Sequence, residues 1–104
     1  MPYAIQFADT AISNLAALTA RERSTVIDAI ESQLSHEPLV ETRNRKLLRP
    51  NPIASWELRT GALRVFYDVA STERPAGTPA VVRILAVGKK ERNVLRIGGK
   101  VVDL

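Results

Sequence analysis

The sequence predicts an α+β fold in β-α-α-β-β-β order, an antiparallel sheet with a helical pair packed on one face. Three observations predict it. Apolar residues recur at helical spacing between Asp9 and Ser35. They alternate with polar residues in segments that begin at Tyr3, Ser55 and Leu63, and a nearly continuous apolar run extends from Ala80 to Val87. At 104 residues and 11.5 kDa, the chain is expected to form one domain, residues 1–104, that buries roughly 60 to 70 per cent of its unfolded surface.

Tyr3 to Phe7 alternates and carries Tyr, Ile and Phe, which predicts a first strand. Asp9 is expected to cap a short helix in which Ile12, Leu15, Ala16 and Leu18 supply the apolar spacing. Thr19-Ala20-Arg21-Glu22 reads as a capping box that opens a second helix. Its stripe of Val26, Ile27, Ile30 and Leu34 should face the sheet, and Pro38 disfavours helix at Glu37. From Pro38 to Pro52 the prolines and the basic run Arg43, Arg45, Lys46 and Arg49 suit an ordered loop or a short edge strand.

Ser55 to Arg59 then alternates, with Trp56 and Leu58 on one face and Ser55, Glu57 and Arg59 on the other, and Thr60-Gly61 supplies a turn. In the next strand Leu63, Val65, Tyr67 and Val69 fall on the covered face, with Arg64, Phe66 and Asp68 opposite. Pro75 and Gly77 predict a flexible loop over Ser71 to Thr78. Ala80 to Val87 reads as a central strand ended by Gly88. Lys89-Lys90-Glu91-Arg92 follows, and Gly98-Gly99 precedes a last apolar segment, Lys100 to Leu104.

Composition narrows the chemistry. No apolar run approaches the ~18 residues of a membrane span and the first twenty residues lack a secretory pattern, so no membrane association and a cytoplasmic address are expected. With no cysteine and a single histidine, disulfide frameworks, thiol nucleophiles and the usual zinc spacings are excluded, and no metal or other cofactor is expected. The net charge of +4 is unevenly placed. Met1 to Thr42 holds two arginines against six acids, whereas Arg43 to Leu104 holds thirteen bases against five acids. That asymmetry points to an anionic partner, RNA first among them.

Taken together, Trp56-Glu57-Leu58-Arg59, Gly61-Ala62-Leu63-Arg64-Val65-Phe66-Tyr67 and Val87-Gly88-Lys89-Lys90-Glu91-Arg92 resemble the core signature of the RelE/ParE toxin superfamily. The preceding helix pair, Lys46-Leu47 and the chain length fit the same family. The resemblance implies a toxin of a bacterial toxin–antitoxin pair, with a cognate antitoxin as partner. It leaves two activities open: ribosome-dependent cleavage of mRNA, the RelE-like branch, and inhibition of DNA gyrase, the ParE-like branch. A catalytically silent relative is a further alternative.

Metal-free RNA cleavage needs a base for the 2′-hydroxyl, donors for the crowded phosphate and a cation or acid at the leaving oxygen. The resemblance places Arg64 at the catalytic arginine position, and a guanidinium can grip a phosphate through two donors. Lys90 matches a basic residue near the scissile phosphate. Glu57 is a candidate base, with a structural ion pair to the neighbouring arginines as the competing reading. Arg59, Lys89, Arg92, Arg96, Lys46 and Arg49 are candidates for contact with the RNA backbone, against a solvated-surface alternative. Phe66 suits either base stacking or packing on a C-terminal segment. His36 reads as a helix-end cation, and Tyr67 and Trp56 as core. The chain departs from the nuclease pattern where Ser55 and Glu57 replace lysines and Arg96 stands in an aromatic position.

Overall fold

The computed structural model describes residues 3–70 and 80–103, so the loop expected over Ser71 to Thr78 lies outside the described residues. The chain runs β1 (Ala4–Phe7), α1 (Asp9–Ala16), α2 (Ala20–Leu34), β2 (Arg45–Leu47), β3 (Trp56–Thr60), β4 (Leu63–Ala70), β5 (Val81–Glu91), β6 (Val94–Ile97) and β7 (Lys100–Val102). The α+β class is as predicted. The sheet has the order β2-β3-β4-β5-β6-β7 with antiparallel neighbours, and β1 adds to β5 in parallel. Within the basic stretch the edge-strand alternative forms as β2. β7 forms within the expected last apolar segment, and β6 is a further strand in a stretch to which the sequence assigned none.

Both helices cover one sheet face. Val26, Ile30 and Leu34 of α2 join Leu58, Val65, Tyr67, Val82 and Ile84 in the larger core. Thr19 and Glu22 form the expected capping box, Glu22 N–H to Thr19 Oγ1 at 3.1 Å and Thr19 N–H to Glu22 Oε1 at 3.0 Å. The start of α1 differs from expectation. Ala8 is its N-cap, with no side-chain cap, and Asp9 lies inside the first turn, where its charge complements the helix dipole. The buried stripe is Ala11 and Leu15, while Ile12 is 54% exposed, because α1 docks against the margin of β5 with its face rotated by one residue.

That docking closes a gap in the sheet. On one side of β5, β1 pairs with Val81 to Ile84 and β6 with Gly88 to Glu91, and the backbone between them would otherwise lack partners. α1 supplies them. Ala8 N–H donates to Ile84 O at 2.9 Å, Thr10 Oγ1 to Leu85 O at 2.7 Å, and Val87 N–H to Asn14 Oδ1 at 3.1 Å. A register shift opposite Phe66 and Tyr67 leaves Leu85 as the extra residue of a bulge.

Tyr67 and Trp56 are core, as predicted, with ring centroids 6.1 Å apart. The Tyr67 hydroxyl donates to Pro38 O at 2.6 Å, and burial raises its pKa, with Arg45 opposing. Arg45 departs from the picture of a solvated basic loop. It is 7% exposed and donates to Val40 O at 2.9 Å and Gln33 O at 2.7 Å, tying the loop to the end of α2.

The opposite sheet face is partly covered too. Phe66, Ala54, Ala86 and Leu95 form a second core with Leu48, Ile53, Leu85, Ile97 and Val102 packed against it. Phe66 is fully buried, so its ring packs on the C-terminal strands and offers no surface to a base. Gly88 does not end its strand. It lies inside β5, where a Cβ would stand 2.6 Å from Arg96 O and 2.8 Å from Ile97 Cγ1. Glycine is needed there for the close approach of β6.

Candidate functional site

Residues paired across a sheet share a face. Lys46 pairs with Glu57, Glu57 with Phe66 and Arg59 with Arg64, Arg64 with Gly88, and Lys90 with Leu95. Lys46, Glu57, Arg59, Arg64 and Lys90 therefore lie on the face opposite the helices. Above the second core this face holds a hollow of about 320 Å³. Arg49, Glu57, Arg59, Lys90, Asn93 and Asp103 supply its polar walls, with Leu48, Leu95 and Val102 beneath.

Glu57 is 6% exposed and accepts from Arg59 Nε at 2.6 Å. The structural ion pair, one of the two readings open from sequence, is thus formed. A carboxylate so buried requires such a partner. Arg64 lies half-buried beside the β3–β4 turn, and its Nη1 donates to Gly61 O at 2.8 Å and Leu63 O at 2.9 Å. Its Nε is buried without a hydrogen-bond partner. Burial lowers the Arg64 pKa, Glu57 raises it and Arg59 lowers it further. Arg64 does not itself line the hollow.

The other sequence candidates separate. Lys89 and Arg96 pair with each other across β5 and β6 on the helix-covered side, away from Glu57. Lys89 Nζ reaches Glu22 Oε2 at 2.8 Å and Glu91 Oε1 at 3.8 Å, which makes it a clasp between α2 and β5. Arg92 sits at the tip of the β5–β6 turn with φ 52°. Lys46 is exposed on the edge strand, and His36 is exposed just past the C-cap of α2. Asp103 and Asn93 were missed from sequence, because the β5–β6 turn that holds Asn93 and the β6–β7 hairpin that leads to Asp103 were not expected. Among the described residues no cluster of three or more His, Cys, Asp or Glu side chains could hold a metal ion. No helix of the described residues is long and apolar enough to cross a membrane.

The Glu22–Lys89 clasp makes stability depend on acid. Its hydrogen bond to Lys89, then that to the Thr19 backbone, lowers the Glu22 carboxyl from 4.5 to about 2. A carboxyl lowered on folding stabilises the fold fully above its ordinary value and ceases to do so as pH falls through its folded value. We expect urea unfolding to find Glu22→Gln less stable than wild type at neutral pH, with the difference gone near the lowered value of about 2.

No protein-family model and no curated protein matches the sequence. Among solved structures the chain is similar to the toxin–antitoxin complex RelBE2 from Mycobacterium tuberculosis, at 30% identity and a TM-score of 0.65, over 86% of this chain and 100% of that one. The chain belongs to the RelE-like toxin–antitoxin family. This RelE-like chain carries on its open face the buried carboxylate of Glu57, paired with Arg59.

Proposed function

We propose that this chain is the toxin of a bacterial toxin–antitoxin pair and that it cuts mRNA on the ribosome. The observation that carries the reading is the placement of Glu57, Arg59, Arg64 and Lys90 on one sheet face, a carboxylate among cations beside a hollow open to a strand of RNA. In the proposed reaction Glu57 takes the proton of a 2′-hydroxyl, and the oxygen attacks the adjacent phosphorus. The bond from phosphorus to the 5′-oxygen breaks, leaving a 2′,3′-cyclic phosphate and a 5′-hydroxyl. Arg64 stabilises the charge gathered on the phosphate, and Lys90 supports the departing oxygen. Arg59, Arg49 and Lys46 attract the backbone, while Lys89 and Arg96 have no part in the site.

The cognate antitoxin in this reading presents an acidic or apolar segment to the same face and blocks it. One observation favours the ParE-like alternative, inhibition of gyrase without cutting RNA: Glu57 is already neutralised by Arg59 at 2.6 Å. Expressing the chain alone in bacterial cells separates the readings. Primer extension on mRNA from growth-arrested cells should show cuts within translated codons. Growth arrest with intact mRNA and accumulating DNA breaks would instead establish the gyrase reading.

A further inference from the structure

Three charges converge on the open face: Glu57, buried at 6% exposure, Arg59 bonded to it at 2.6 Å, and Arg64, paired across the strands with Arg59 and holding a buried Nε without a partner. Two guanidiniums and one carboxylate leave a single positive charge, with the carboxylate buried and the Arg59 side chain 41% exposed. A phosphodiester carries one negative charge and offers two acceptor oxygens. Its single charge matches the net charge of these three groups.

We infer that Glu57 is a resident counter-ion that occupies the place of a phosphodiester between Arg59 and Arg64, and that an RNA backbone displaces it by taking Arg59 as its own partner. The inference rests on the reading of this face as RNA-binding and adds a step to it. Arg59 changes partner on binding, and only then is the Glu57 carboxylate released to accept a proton. Arg59 thus binds the backbone and, by leaving Glu57, frees the carboxylate. The arrangement keeps an isolated buried carboxylate from forming in the free protein.

The test removes the charge and keeps the shape. Binding of a short fluorescent RNA, 2′-O-methylated so that it cannot be cut, is measured by anisotropy over a series of salt concentrations for wild type, Glu57→Gln and Glu57→Leu. One cation freed from its internal partner engages one more phosphate. Glu57→Gln should then bind about fivefold more tightly at roughly 0.1 M salt, with a log–log salt slope steeper by about 0.7. Glu57→Leu, which can pack beside Phe66, should shift in the same direction. Binding that weakens or stays equal in both variants, each shown to be folded by circular dichroism, overturns the inference.

A parallel titration with inorganic phosphate at low pH, where it is a monoanion, reads the Nε–Hε signals of Arg59 and Arg64 by NMR. It separates this inference from the RNA reading. Phosphate shifting both signals in Glu57→Gln and neither in wild type supports the counter-ion even if no RNA binds, in which case the RNA reading fails alone. Unmoved signals in Glu57→Gln reject the counter-ion whatever RNA does.

Discussion

Gly88→Ala should lower the unfolding free energy by about 1 to 3 kcal/mol, the range of overpacking in a fitted interior. The added methyl would meet Arg96 O at 2.6 Å and Ile97 Cγ1 at 2.8 Å. The side chain of Ile97 can rotate, but the Arg96 carbonyl belongs to the strand, so β6 must move away from β5. The loss has a defined location. β6 and β7 bring Leu95 and Val102 over Phe66 and set Asp103 beside the hollow. Urea denaturation gives the total, and amide exchange should show residues 94 to 102 losing protection well before β3, β4 and the first half of β5. Gly61→Ala is the control. Its φ is +59° and nothing lies within 4 Å of the added methyl, so only the backbone cost of about 1 kcal/mol applies.

The same glycine shows what a sequence can and cannot convey. A glycine after an apolar run is a reasonable strand terminator, and nothing local distinguishes that role from a close approach between strands. The distinction depends on Arg96 and Ile97, whose strand was not separable from loop at four residues. Period-two alternation, by contrast, gave the face of every residue from Trp56 to Arg59 and from Leu63 to Val69. It placed Glu57, Arg59 and Arg64 together before any coordinates, because the pleat leaves no freedom in which side a residue takes.

Charge was less legible. Arg45 and Arg49 look alike in a basic run, yet one is buried on backbone carbonyls and the other lines the hollow. Lys89 and Lys90 are neighbours, and alternation alone would have assigned them to opposite faces. Reading β5 as ended at Gly88 concealed this. The family relationship was visible in motif order across β3 to β5, while the choice between its two activities was not, since one fold can carry either.

Arg64→Ala should reduce mRNA cleavage on translating ribosomes on the order of a hundredfold or more, as loss of one preorganised donor does elsewhere, while leaving the fold intact. The side chain is held in place before substrate arrives. Two carbonyls of its own hairpin, Gly61 O and Leu63 O, fix Nη1 at 2.8 and 2.9 Å, so little conformational freedom is lost when a phosphate binds. The partnerless buried Nε carries a cost of about 1 to 3 kcal/mol in the free protein, and an incoming acceptor that reaches it relieves that cost.

Arg64→Lys should rescue poorly. An ammonium keeps the charge but can neither satisfy both turn carbonyls nor present a second donor in plane. Lys90→Ala, which removes an exposed cation held by no partner fork, should cost closer to tenfold, within the usual range for one aid to proton transfer or charge at a leaving group. Single-turnover cleavage with saturating toxin gives the rate constants, and anisotropy on uncleavable RNA gives binding. Arg64→Ala is expected to lose far more in rate than in affinity, because the interactions it makes strengthen as charge builds on the phosphate. Equal losses in both would make Arg64 a docking contact and remove it from the chemical step.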